Sequence, residues 1–313
     1  MPRFLPSAVL IVASLLACER SRPAAPPDTS RPAMPESVQA VQPPPPAPAW
    51  DSAAGPVLFV RSGSPDAAFV VFPEYADSTL PDTVRFDVGG VRGVQVDLFG
   101  RGGLVGTARV ADVRSTQWSG DECVEWPKAV VRPTADSGAV SGWTVAFLHG
   151  RAESVPLDSI ESMPRPDSAR LAADVTRLVS ALPDDTSRTF RGIPFSVQSA
   201  YRFPVGSGVD AVVADVVRRL NQEANPLEQH TLLVAERATS AQAGYHVVFH
   251  ERAAGSEETL ETTDVLAAVR FPASGRIALV LLREGLETSA YALLVREPQG
   301  TWHVRWTSVH TGC

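Results

Sequence analysis

The feature that most constrains this chain is its C-terminal third, where short runs of Val, Leu, Ala, Thr and aromatic residues alternate with Gly, Ser or Pro turns. Residues 231–236, 245–251, 259–271, 277–283, 289–297 and 302–309 read as strands. Connections this short join antiparallel neighbours, because a parallel partner needs a long crossover. The run 277–282 shows no alternation, so it is expected at the centre of a sheet with both faces covered. In the last run a two-residue period places Trp302, Val304 and Trp306 on one face, as core.

Residues 57–60, 67–72, 83–88, 93–99, 104–110, 129–131 and 143–148 repeat the theme and predict an antiparallel sandwich or barrel. Between the two β-rich stretches the period changes. Leu171, Val175, Leu178, Val179 and Leu182 recur at helical spacing and predict a helix over 167–182. Val209, Val212, Val213, Val216 and Leu220 predict a second over 207–223, which would cover the 277–282 strand. The expected class is therefore α+β, mainly β: antiparallel β units, sandwich or barrel-like, then a C-terminal meander, with two helices.

Residues 1–17 begin with a basic Arg3 and continue into an apolar stretch shorter than the roughly 20 residues that span a bilayer. It reads as a signal peptide. Its end, Leu15-Leu16-Ala17-Cys18, resembles the lipobox of bacterial lipoproteins, with Leu16 where that family favours a smaller residue. The resemblance implies cleavage before Cys18 and a lipid on its sulfur. Residues 19–56 are dominated by Pro, Ala and Ser, including four consecutive prolines at 43–46, a composition that forms an extended spacer of about 3.1 Å per residue. The expected organisation is a signal peptide (1–17), a lipidated Cys18 with a Pro-rich tether (18–55), a β-rich unit (56–150), a linker with one helix (151–195), and a helix plus meander (196–313). The expected location is the cell envelope, lipid-anchored to a membrane and facing the periplasm or the exterior.

Once Cys18 is assigned to the lipid, Cys123 and Cys313 remain as an even pair. Export places them where disulfides persist, so a Cys123–Cys313 bridge is expected.

A net charge of −7, with no basic stripe legible along the sequence, argues against a nucleic-acid partner. His246 and His250 are four apart, but on a strand that separation is about 13 Å, too far for one metal ion. Gly100, Gly102, Gly103 and Gly106 lack the dinucleotide spacing and read as a hairpin turn. The C-terminal strand–turn rhythm is also similar to a β-propeller or integrin-type repeat. Pro272-Ala273-Ser274-Gly275-Arg276 stands where a calcium-binding repeat carries aspartates, and no fixed period recurs. Asp184-Asp185 and the Glu257, Glu258, Glu261, Asp264 group read as solvated charge. Asp121 and Glu122, with His149, are the one arrangement that suits acid–base hydrolysis if a fold unites them.

No cofactor, metal or catalytic set is expected. The reading that follows is a non-catalytic binding or interaction module whose partners are a membrane, through its lipid, and an envelope protein or glycan. A structural envelope lipoprotein and an envelope hydrolase are the alternatives. The sequence leaves the oligomeric state open.

Overall fold

A computed structural model of the chain describes residues 49–76, 83–119, 125–134, 141–183, 188–221, 226–240, 244–256 and 258–312. Its first strands are β1 (Leu58–Arg61), β2 (Ala67–Val71), β3 (Thr83–Arg85), β4 (Gln95–Gly100), β5 (Gly103–Arg114), β6 (Gln117–Ser119), β7 (Lys128–Pro133) and β8 (Val145–Leu148). Six of them close an antiparallel barrel in the order β1-β2-β7-β5-β4-β8, and β3 pairs with β6. Closure follows from β8, which pairs with β4 on one side and β1 on the other, so the barrel has no free edge. The glycine-rich stretch is the β4–β5 hairpin turn. Gly103 has φ +107°, and a Cβ at Gly100 would lie 2.5 Å from the Gly142 carbonyl oxygen.

Two short strands, β9 (Glu153–Val155) and β10 (Asp158–Ser159), lead into helix α1 (Arg165–Ser180). The helix starts with Pro166 in its first turn, where a missing N–H costs nothing. It buries Leu171, Val175, Leu178 and Val179, the face the sequence predicts.

The second expected helix, 207–223, is a strand. β11 (Ser196–Gly206) runs into β12 (Val209–Leu220), followed by β13 (Leu227–Ala238) and β14 (His246–Gly255). Five valines within β12 disfavour helix at χ1 and suit a pleated sheet. The turn before it is a tight hairpin, with Gly206, Ser207 and Gly208 all at positive φ. The apparent helical face arose because β12 is buried on both sides. Val212, Ala214 and Val216 pack towards α1, while Ala211 and Val213 pack on the opposite face.

The remaining strands are β15 (Thr262–Phe271), β16 (Arg276–Glu284), β17 (Thr288–Arg296), β18 (Trp302–Thr307) and β19 (Thr311–Gly312). The C-terminal run is thus divided between two antiparallel sheets. One has the order β10-β11-β12-β13-β14; the other is β18-β17-β16-β15-β9, with β19 added beside β17.

These pieces stack as layers: barrel, six-stranded sheet, five-stranded sheet, helix. In β16, Ala278 and Val280 join the barrel-side core, while Ile277, Leu279 and Leu281 meet Phe203, Val213, Leu232 and Val234 of the five-stranded sheet. The strand is therefore central and covered on both faces, as its sequence predicts, but a sheet provides the cover instead of a helix. Each such leucine contributes roughly 1.5–3 kcal/mol by burial. Trp302 and Trp306 are both core, on opposite faces. A bulge opposite Leu293/Leu294 shifts the register, so Trp302 meets Phe203 and Trp306 meets Trp50.

Polar ties cross the layers. Arg101, in the β4–β5 turn, donates to the Val265 carbonyl at 2.7 Å and pairs with Asp264 of β15. Glu236 of β13 accepts from Arg296 Nε and Nη2 at 2.7 and 2.9 Å and from Trp302 Nε1 at 2.7 Å. Among the described residues, no helix is long and apolar enough to cross a membrane.

Candidate binding groove at the barrel–sheet junction

Where β1, β2 and β7 of the barrel meet β16 and β17, a groove of about 540 Å³ opens. Its walls include Arg61, Phe69, Lys128, Glu284, Ser289 and Tyr291. The strand register builds this surface, because Phe69 and Lys128 are direct partners on β2 and β7. The Lys128 ammonium lies 5.7 Å from the Phe69 ring centroid, within reach of its π face. Glu125 approaches the same ammonium at 3.3 Å, an exposed pair of little energetic weight. Tyr291 is buried beneath the groove. Burial pushes its phenol up to about 12, and the Glu284 carboxylate adds to the shift.

Glu284 lies at the meeting point of three depressions. A second, of about 340 Å³, is lined by Phe69, Glu125, Trp126, Leu286, Thr311 and Gly312 among others. A third, of about 470 Å³, includes Pro226, Leu260, Thr262 and Leu286. The β16–β17 turn stands between them, and Leu286 at its tip is 61% exposed. An isolated exposed leucine is ordinary. One flanked by two hollows, one of them walled also by Phe69, has the form of an aliphatic docking anchor.

A second polar site lies between the two sheets, at the end where their apolar packing stops. Arg283 Nη2 donates to both Glu251 oxygens at 3.0 and 2.9 Å, its Nη1 lies 3.7 Å from Glu261, and His310 Nε2 bonds Glu261 at 3.0 Å. Facing it, His230 bonds Asp215 through Nδ1 at 2.9 Å and Glu228 through Nε2 at 3.0 Å, and Arg219 donates to Glu228 at 2.7 Å. The hydrogen bond to Asp215 holds the His230 pKa above its ordinary value, against the opposing effect of burial, with Glu228 assisting. Burial pushes the Glu228 carboxyl upward, but the hydrogen bonds from His230 and Arg219 prevail and hold it below its usual value. The cavity they enclose is only about 130 Å³, below the size of a metabolite pocket.

His149 is paired with Asp97; the acidic pair the sequence sets beside it, Asp121 and Glu122, lies outside the described residues. Asp97 is buried. One of its oxygens lies 2.8 Å from His149 Nδ1 and the other accepts from the Gly150 N–H at 2.9 Å. The His149 side chain is 58% exposed, so its Nε2 edge is turned towards solvent.

Cys18, Cys123, Cys313, Asp121, Glu122, Asp184, Asp185 and Glu257 lie outside the described residues. Of the other acidic positions, Glu261 joins the inter-sheet network and Asp264 pairs with Arg101. His246 and His250 both lie on β14, and no metal-binding group of His, Cys, Asp or Glu occurs among the described residues. The groove was missed because it joins residues far apart in the chain. The inter-sheet network did leave a trace: His230 shares strand parity with Leu232 and Val234, so a charge on the core face was readable. In comparisons with known proteins, the chain matches no family model, no curated protein and no solved structure.

Proposed function

We propose that the chain is a lipid-anchored cell-envelope protein, held to a membrane through Cys18 and facing the periplasm or exterior. Its folded part acts as a non-catalytic binding module for an envelope protein or glycan. The observation that carries the binding role is the pair of adjoining depressions that share Phe69 and Glu284, one walled by Lys128 and the other by Leu286, so that a charge, a ring and an apolar anchor lie along one surface. The anchor rests on the lipobox-like end of the leader and the Pro-rich tether behind it.

Lys128 is the only lysine in the sequence, so amine acetylation reports on the groove at a single side chain. A panel of envelope glycans and extended peptides is screened by thermal shift, where a ligand at a hundred times its dissociation constant stabilises by about 2.7 kcal/mol. A saturable shift that protects Lys128 from acetylation and is lost in Leu286→Asp is the expected result. Silence across the panel, with Lys128 fully labelled throughout, favours a structural lipoprotein without a ligand.

An envelope hydrolase is the second reading, and the Asp97–His149 pair favours it, since a buried carboxylate that fixes Nδ1 leaves Nε2 to act as a base. Turnover on ester or glycan substrates that His149→Ala abolishes would move the assignment there.

A further inference from the structure

Basic residues that are scattered in the sequence are gathered on the barrel by strand register. On the ladder between β5 and β7, Arg109 is directly opposite Arg132, and Arg114 is directly opposite Lys128. Val110 and Ala108 of β5 and Val131 and Ala129 of β7 point into the core. The four basic side chains therefore share the outer face, and all four are exposed. Directly opposed residues hold their Cβ atoms about 5 Å apart, and like charges so placed oppose strand pairing. Two such pairs on one ladder are a cost to the fold that the fold itself does not explain.

Among the described residues, little of this charge is neutralised. Lys128 has Glu125 nearby, and Arg92, at the same face, pairs with Asp112 at 2.8 Å. Arg109 donates to the Gly93 carbonyl. Among the described residues, Arg114 and Arg132 make no side-chain hydrogen bond or ion pair. A chain of net charge −7 thus carries a concentrated positive face.

We propose that this β5–β7 face docks on the phosphate headgroups of an anionic lipid bilayer. None of the three depressions at the junction, nor the inter-sheet cavity, is lined by Arg109, Arg114 or Arg132. The charges are spread along an open ladder, which suits an extended array of phosphates better than one enclosed anion. The proposal rests on the reading of the chain as membrane-tethered. A tether makes the encounter of the domain with its own membrane intramolecular, so a weaker electrostatic contact suffices than for a free protein.

The test is vesicle flotation of the chain from residue 18 onward carrying Cys18→Ser, which has neither a lipid nor the apolar leader. Vesicles of mixed phosphatidylglycerol and phosphatidylcholine are compared with phosphatidylcholine alone. The expected result is flotation with the anionic vesicles only, reversed at about 0.5 M salt, where the Debye length shrinks to a few ångströms. The double variant Arg109→Glu/Arg132→Glu, which leaves the groove intact, should weaken partitioning by about tenfold or more. The proposal is overturned by equal flotation with both vesicle types, by no flotation, or by an unweakened double variant whose circular dichroism is native. Binding to soluble polyphosphate without vesicle binding overturns it too, and assigns the face to a polymer. Mass analysis of Cys18 in the native protein tests the tether separately, so failure of the anchor and failure of the face are distinguishable.

Discussion

His230 lies between two carboxylates and donates to both when charged, which makes it the residue through which pH acts on this fold. Its folded pKa is raised above 6.5, so its contribution to stability is complete below that value and is lost as pH rises through the folded pKa. Glu228 has the opposite sense. Its folded pKa is lowered from 4.5, so its contribution is present above that value and is lost as pH falls through the folded pKa. The network is therefore complete between the two, and thermal unfolding should show the melting temperature declining from mild acid to mild alkali. In His230→Gln that decline should flatten; an unchanged slope would remove His230 as its source. Glu236 provides a second measurement at this scale. Glu236→Ala leaves Arg296 and the Trp302 indole without their partner between two packed sheets, and denaturant unfolding should show a loss of roughly 3 kcal/mol. Neither interaction was readable as a pair from the sequence. The core parity of His230 and Glu236 was readable, but the arginine and carboxylate that complete each site come from strands whose register no local pattern specifies.

Among the elements, α1 and the strands β13 to β18 were legible because each has one dominant pattern and clear punctuation. Leu171, Val175 and Leu178 admit only a helical reading, and Pro183 ends it. β12 was not legible, because burial on both faces erases the two-residue alternation and lets five valines imitate a helical stripe. The distinction is testable at Ala211, which a helix over 207–223 would turn to solvent and which β12 buries in the inter-sheet core. Ala211→Glu should cost about 3 kcal/mol or more, because the carboxylate enters that core without a partner, and a thermal melt close to the parent's would contradict the strand. The Trp302/Trp306 pair shows the complementary limit. Their burial was readable from type, but the bulge that sends them to opposite faces is set by pairing with β17.

At the scale of the whole molecule, residues 46–313 form one compact unit in which the six-stranded sheet is shared by both cores. The chain returns at its end to the barrel side: Glu125 and Trp126, just after Cys123, and Thr311 and Gly312, just before Cys313, line the same depression. Cys123 and Cys313 themselves lie outside the described residues; the bridge expected from the sequence would close a loop of about 190 residues and stabilise by at most about 5 kcal/mol in the chain-entropy view. Alkylation before reduction, followed by intact mass, should show no label on either cysteine; two labels would refute the pairing. The segment that precedes β1 is held to the six-stranded sheet before it reaches the barrel. Trp50 sits edge-on to Trp306 at 4.8 Å, and Asp51 accepts from Arg276 and Ser274, each at 3.3 Å. A pull on the N-terminal side is therefore delivered first to β16 and β18, in the middle of the stack, and the barrel seam between β1 and β8 is relieved of it. Mechanical tension along the chain would have to extract an indole and break a half-buried ion pair before the first barrel strand could peel.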